Sequence, residues 1–427
     1  MRLSSAVSLV SASLALTSVS FVASAEEVMP ICNVWKGYTY EKAKADYPDL
    51  TDSINIVQQH GFVPWYTDNS PQQGLDVIIE ALQSKCPEKS KIPMVIYGLP
   101  KKDCVANYSN MGFNKNLDDY KAFLQRLNDA FPKQHMIYIV EPDAIGLTVN
   151  GGCSVDNDYK GAVKVALEML SANPNAELYL DIGFWALLDS GKPDMLAQIV
   201  NEIWPKDGGK LKGIALNVSN YEKTEEMIAL CEKFAKLTGR NGMKCIIDTS
   251  RNYRGPSATH EWCNAKGAGI GHPPTMDTGN AQAAYFLWVK TPGESDGECT
   301  NEKSGEATVG PRAGDFFKDY FQMLWQNGYF VDKKQTSPSS APAPTTAKPT
   351  SAPAPAPVVT LGTETPAPAP APVVTVATVA PAPVPSSGSG SFLYCGPARP
   401  DAASLTAWCN QNCPAFCPTD MCKQGSC

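Results

Sequence analysis

The sequence predicts an α/β protein: a parallel β/α barrel of roughly seven strands, then a disordered linker rich in Pro, Ala, Ser and Thr, then a small disulfide-rich C-terminal module. Three observations predict it. Short apolar or β-branched runs recur at 62–65, 94–97, 136–140, 177–180, 213–216, 245–247 and 285–289, as buried parallel strands require. Most neighbouring runs are separated by stretches with helical apolar spacing, at 74–84, 117–127, 159–170 and 224–237. Beyond residue 335 the composition changes abruptly, and six of the 14 cysteines crowd into the last segment. Strand, crossover helix, strand, repeated at this length, points to a barrel.

Taken in order, the chain opens on Arg2, an apolar stretch through Leu14, Leu16, Val19, Phe21 and Val22, and the small residues Ala23, Ser24 and Ala25. This is the layout of a secretory signal peptide over 1–25, cleaved before Glu26. Its short, serine-rich apolar part argues against a membrane anchor, and no other stretch is long enough to span a bilayer. Export agrees with the cysteines, since disulfides persist outside the cytosol. Eight lie from Cys32 to Cys299 and six from Cys395 to Cys427, an even count in each region.

The folded domain is expected over 26–335. Over 336–391 the only charges are Lys348 and Glu364, so no core can form there. The repeat P-A-P-A-P-V-V-T at 353–360 and 368–375 predicts an extended spacer of about 3.1 Å per residue, bare or O-glycosylated. The tail, 392–427, reads as a disulfide scaffold whose pairing stays open. Cys409, Cys413 and Cys417 have no histidine beside them, which disfavours zinc. Tyr394, Trp408 and Phe416 offer a stacking face for insoluble polysaccharide, unless one of them plugs the core. A formal net charge of -7 leaves no electrostatic footprint for nucleic acid. With four histidines in the chain, no metal or cofactor is expected, and nothing calls for more than a monomer.

The run I-Y-I-V-E-P-D-A-I-G-L at 137–147 ends in Glu141 and Asp143 around Pro142. Proline has no N–H for a neighbouring strand, so the ladder stops and Asp143 leaves the sheet. An isolated E-P-D is most simply a strand-end acid satisfied by an arginine or a helix N-terminus. Other runs, however, end the same way: at Trp65, at Tyr97 followed by Asp103, at Asp181, Asn217 and Asp248, and at Lys290 followed by Glu294 and Asp296. So many polar groups after apolar runs stabilise poorly, because each must be hydrated or paired. In a barrel they stand where chemistry collects. Acids, amides and tryptophans together suit a polyhydroxylated substrate.

In order along the chain, Tyr97-Gly-Leu-Pro-Lys-Lys-Asp103-Cys104, Val140-Glu141-Pro142-Asp143, Tyr179-Leu-Asp181, Asn217-Val-Ser-Asn220-Tyr221, Asp248-Thr-Ser-Arg251-Asn252, Trp262-Cys263-Asn264 and Trp288-Val-Lys290-Thr-Pro-Gly-Glu294-Ser-Asp296 resemble the motifs of glycoside hydrolase family 6. The resemblance covers about residues 35–327. It implies a distorted barrel of roughly seven strands and an inverting cellulase acting on cellulose or a related β-glucan. By position it implies Asp143 as general acid and Asp103 as the charge that keeps its proton on. It places Ser109 at the water, Tyr97 against the reacting sugar, and either Asp296 or Asp103 as the base. Inversion leaves room for water between carboxyls roughly 6.5 to 9.5 Å apart, so a relay is acceptable. Asp181, Asn217, Lys290 and Glu294 become sugar ligands, and Trp65 and Trp262 stacking platforms. Cys104 with Cys153 and Cys263 with Cys299 match the family's loop-clamping disulfides; Cys231 with Cys245 is the next expected pair, which leaves Cys32 with Cys86.

Gly98 and Lys102 stand where the family usually has aspartate and arginine, and Lys102 loses the bidentate fork. Phe184 and Leu187 replace a histidine and a tryptophan, with Trp185 displaced. The sequons at Asn107 and Asn217 fall in site loops and are expected to be unused. The segment from Asp296 to Gly314 and the loop from Asp143 to Cys153 are short, which predicts an open groove and endo action. An exo-acting cellobiohydrolase and a catalytically weak glucan-binding surface protein are the rivals.

Overall fold

The computed structural model describes residues 29–69, 72–205, 209–336, 392–394, 406 and 422–424. The expected signal peptide, nearly all of the linker and most of the cysteine-rich tail lie outside the described residues.

In the larger unit seven strands form one parallel sheet in sequence order: β1 (Trp65–Thr67), β2 (Lys91–Tyr97), β3 (His135–Val140), β4 (Glu177–Asp181), β5 (Leu211–Leu216), β6 (Lys244–Asp248) and β7 (Ala283–Leu287). The sheet curls into the expected distorted barrel. Side chains alternate across it: Val95, Ile137, Ile139, Tyr179, Ala215 and Ile246 fill the interior, while Ile96, Val140, Leu180, Ile214 and Ile247 pack outward under the helices. The run at 62–65 yields a strand only from Trp65. Phe62 and Val63 give their N–H groups to Trp35 O (2.9 Å) and Trp288 O (3.0 Å), and Pro64 has none to give.

Helices Gln72–Lys85, Leu117–Ala130, Tyr159–Leu170 and Thr224–Leu237 stand where apolar spacing predicts them. Asn116 caps the second by accepting from Asp118 N and Asp119 N. A further crossover helix, Lys192–Ile203, links β4 to β5, whereas the β6 to β7 connection, 249–282, has no helix. That long loop becomes one wall of the site.

β1 and β7 do not pair in the ladder; Val63 N–H bonded to Trp288 O, and Trp65 Nε1–H donating to Val289 O (2.8 Å), bridge the seam. Behind them Tyr40, Phe62, Trp288, Tyr320 and Phe321 join helices Tyr38–Asp46 and Lys318–Gln326 in a second core. At the amino ends of the strands the polar groups satisfy one another: Lys91 Nζ reaches Glu177 Oε1 and Tyr285 OH, both at 2.6 Å. The opposite rim is left for chemistry.

Disulfides join Cys32 to Cys86, Cys104 to Cys153, Cys231 to Cys245 and Cys263 to Cys299. The second ties the β2 loop to the segment after β3, and the fourth ties the β6 and β7 loops. In the smaller unit β8 (Phe392–Tyr394) and β9 (Cys422–Gln424) pair antiparallel. Among the described residues no helix is long and apolar enough to cross a membrane.

Candidate active site

The loops after the strands surround a cleft of about 1220 Å³. Trp65, Tyr97, Asp103, Ser109, Asp143, Trp262, Lys290, Glu294 and Asp296 all line it. Left-handed backbone concentrates here: Asp103, Glu141, Asp143, Asn217, Ser219, His260 and Asn264 all have positive φ. Non-glycine residues adopt that region at a cost, and such strain collects at functional sites.

Asp143 follows β3 at φ 71° and precedes helix Ala144–Asn150. Its carboxyl is pushed well above the usual carboxylate range by burial, then by the charges of Asp181 and Asp103. Asp181 Oδ1 accepts the N–H of Asp143 (2.9 Å) and of Gly183 (3.0 Å), so it fixes the backbone at the acid. Burial raises Asp181 itself to about 7. Glu141 turns away from the cleft. It is fully buried, accepting from Gly98 N (2.9 Å), Leu99 N (3.3 Å) and Tyr120 OH (2.7 Å), and burial still lifts it to about 7.

Asp103 is raised by burial against the opposing hydrogen bond from Ser109 N, which donates to its Oδ2. Lys102 acts on Asp103 through its charge, the weakest of the influences that oppose the rise, while its hydrogen bonds go elsewhere. It is buried, with its ammonium bonded to Asp68 and to Asn69 Oδ1 (2.6 Å), and lies 5.2 Å from the centroid of the Tyr97 ring. Asn69 Nδ2 in turn donates to Ser109 O at 3.1 Å. The glycine at 98 also has a local reason: a Cβ there would sit 2.5 Å from Phe123 Cε1.

Asp296 is the electrostatic opposite of Asp143. Burial pushes its carboxyl up, but Arg251 and Lys290 outweigh burial and hold it below the usual range. Arg251 Nη1 donates to Oδ2 at 2.7 Å, Asn264 N at 2.9 Å and Tyr221 OH at 3.0 Å, while Lys290 Nζ lies 3.3 Å from Oδ1. Arg251 is fully buried, over the Tyr221 ring at 4.4 Å, and its Nη2 donates to Ser219 O. Glu294 accepts from Thr39 Oγ1 at 2.7 Å; burial raises it against the Lys290 charge.

Two of the expected sugar ligands do not line the cleft. Asn217 is fully buried: its Nδ2 donates to Asp248 O (2.8 Å) and Glu222 O (3.1 Å), and its Oδ1 accepts from Glu222 N (2.9 Å). Asp181 stands behind Asp143 as described. Trp262 is 37% exposed and its ring centroid lies 5.9 Å from that of Tyr108, with the rings tilted. Tyr108 seats on Gly297, where a Cβ would come within 2.8 Å of Tyr108 Cδ1, so the β2 and β7 loops touch at this point. Trp185 lines the cleft and Leu187 does not, so an aromatic is supplied here from two positions earlier. Sequence reasoning gave no role to Arg251, Tyr221, Asn264 or Asp68; a buried arginine after a strand-end acid was the available signal.

A carboxyl raised by burial and neighbouring anions and a carboxyl lowered by two cations share one tryptophan-flanked cleft at the carboxyl rim of a barrel, an arrangement of the kind glycosidases use. The chain belongs to the glycosyl hydrolases family 6, whose model matches residues 34–328. It is 33% identical over 294 residues to endoglucanase A of Cellulomonas fimi, covering 68% of this chain and 59% of the relative. Among solved structures it resembles the endoglucanase Cel6 of Mycobacterium tuberculosis in complex with methyl-cellobiosyl-4-deoxy-4-thio-β-D-cellobioside, at 28% identity and TM-score 0.59 over 70% of this chain and 98% of that one. It also resembles the catalytic core of the cellobiohydrolase Cel6A of Chaetomium thermophilum, at 26% identity and TM-score 0.60 over 70% and 97%. The chain spans 53–60% of the length of the first curated relatives it matches.

Proposed function

We propose that this protein is a secreted, inverting hydrolase of β-1,4-glucosidic bonds in cellulose or a related glucan. The observation that carries the reading is the opposed state of two cleft carboxyls, Asp143 held protonated by burial and neighbouring anions, and Asp296 held ionised by Arg251 and Lys290. Asp143 then protonates the departing glycosidic oxygen. Asp296, already bonded to Arg251, Asn264 and Tyr221, makes a poor proton acceptor and acts by stabilising positive charge on the sugar. Asp103, raised and held by Ser109, takes the water's proton through a relay. Tyr97 crowds the reacting sugar between Trp65 and the acid, and its ring meets Trp65 edge-on at 5.4 Å. Lys290 and Glu294 bind hydroxyls, Trp65 and Trp262 stack on sugar faces, and Asp181 and Asn217 position the loops behind them.

Endo action fits the short loops that follow Asp143 and Asp296. The contact of Tyr108 with Gly297 favours a second reading, an exo-acting cellobiohydrolase with a bridged cleft. Export fits the signal-like residues 1–25 and four disulfides. Digestion of cellohexaose in H₂¹⁸O, followed for anomeric configuration and chain length, tests all of this. An α-configured product from mixed internal cuts is expected; cellobiose alone selects the exo reading, and a β-configured product or no cleavage overturns the mechanism.

A further inference from the structure

A second hollow, of about 240 Å³, lies between the 3₁₀ turn Pro48–Leu50 with the helix Thr51–Gln58 that continues it, and helix Lys318–Gln326. It shares no lining residue with the cleft. Asp49, Asp52 and Ser53 line one side at i, i+3 and i+4, and Gln322, Trp325 and Gln326 line the other with the same spacing. Each segment therefore turns one helical face to the hollow. Their other faces, through Ile54, Val57, Phe321 and Leu324, belong to the second core. The Trp325 ring stacks on Phe330, with centroids 5.6 Å and planes 17° apart, so the indole is held from one face while it lines the hollow. Among the described residues, no side-chain hydrogen bond or ion pair engages Asp52, Gln322, Gln326 or the Trp325 indole N–H. A fixed aromatic ring ringed by uncommitted donors and acceptors is a recognition surface, not a stability device. Two carboxylates turn anions away, and among the described residues no third ligating side chain joins them to hold a metal. The volume lies just below the roughly 300–1,000 Å³ of small-molecule sites, so the hollow takes part of a chain-like ligand.

We propose that this hollow is an auxiliary glucan-binding site on the catalytic unit, Trp325 lying against one pyranose ring while Gln322, Gln326 and Asp52 exchange hydrogen bonds with its hydroxyls. The identity of the ligand rests on the glucan-hydrolase reading above. The site does no chemistry; it holds a stretch of glucan to the enzyme outside the cleft.

The test is hydroxyl-radical footprinting of the full-length protein carrying Asp143→Asn, read by mass spectrometry at each tryptophan across a cellohexaose titration. Without sugar, Trp325 should oxidise faster than the fully buried Trp288. Equal protection of the two means that the protein's own chain fills the hollow, and overturns the inference. With sugar, Trp325 oxidation should fall about threefold or more, while Trp204, covered by the Arg240 guanidinium at 4.1 Å, stays constant. Adding Gln322→Ala and Asp52→Ala should raise the cellohexaose concentration that half-protects Trp325 about tenfold, two hydrogen bonds' worth, and leave that for Trp65 in the cleft unmoved. Half-protection of Trp325 and Trp65 at one concentration in both proteins marks an indirect effect of filling the cleft and overturns the site. Protection at Trp65 without any at Trp325 sinks this inference alone, whereas protection at neither sinks the glucan reading with it.

Discussion

Replacing Lys102 by methionine tests whether one buried ion pair holds the loop that carries Asp103 and Ser109. The Lys102 and Asp68 side chains are 2% and 1% exposed. Methionine keeps the stem's volume but leaves Asp68 as a buried carboxylate with the Asn114 N–H at 2.8 Å. Breaking such a pair from one side costs about 3–5 kcal/mol, because a buried charge is left uncompensated. That is a large part of the roughly 5–15 kcal/mol that keeps a domain folded. Adding Asp68→Asn removes the charge and keeps an oxygen for Asn114, so the double variant should regain most of the loss. Urea unfolding reads both as midpoint shifts at constant m-value. Turnover is expected to behave differently. Lys102 reaches Ser109 through Asn69 and lies against Tyr97, so kcat should fall in the single variant and stay low in the double. A loss under about 1 kcal/mol in Lys102→Met, or a double variant as unstable as the two singles added together, would refute the idea that this pair holds the loop.

Asp143→Asn should slow hydrolysis on the order of 10² or more for glucosides with poor leaving groups and far less for an activated aryl leaving group, in initial-rate assays; equal losses would remove the acid assignment. Asp181→Asn keeps the oxygen that accepts from Asp143 N and Gly183 N but deletes the charge, so the proton on Asp143 should be lost at lower pH and the alkaline limb of the rate profile should move down, with an unmoved limb counting against the coupling. Glu141 and Asp181, both raised to about 7 in the fold, stabilise it fully below the ordinary carboxyl range and lose that contribution as pH rises to about 7. Asp296 shifts the other way, below this window, and does not oppose it; His60, lowered to about 4 by burial, does oppose it, because the unfolded imidazole takes up a proton below about 6.5, but it is one group against two carboxyls. Calorimetry should therefore give a higher Tm at pH 5 than at pH 7.5, and the reverse order would contradict the buried carboxyls. Truncation after Thr336 should weaken pull-down on insoluble cellulose or chitin while sparing turnover of soluble oligosaccharides; unchanged pull-down on both polymers would deny the tail a binding role.

The barrel was legible because each strand is an apolar run ending in a polar residue, and because period-3.6 stretches fill most of the gaps. Helix Lys192–Ile203 was the less visible one, starting with Gly191 and Pro193 close to its first turn. The place of Asp143 in the cleft was legible in Pro142, which follows the end of β3 and turns Asp143 off the sheet. What could not be read was the direction of a side chain after a left-handed residue. Asn217 ends β5 like a ligand, but at φ 64° its amide turns inward and closes the β5 loop on itself. Pairs across long separations were equally hidden. Asp68 meets Lys102 across 34 residues and Arg251 meets Asp296 across 45, and no local pattern ties the two partners of either pair together.

Burial raises the carboxyls of both Asp143 and Asp296, so burial cannot be what sends them in opposite directions. The division comes from which loops meet. The ends of β3 and β4 bring Asp143 beside Asp181, and the β2 loop adds Asp103, so the charges that raise Asp143 are negative. The ends of β6 and β7 bring Arg251 and Lys290 to Asp296 instead. Helix-bearing crossovers close the first side tightly, whereas the helix-free 249–282 connection lets a buried arginine reach across to the second. The same connection carries His260 and Trp262 along the cleft, so one irregular segment both fixes the charge state of Asp296 and shapes the surface where a glucan chain would lie.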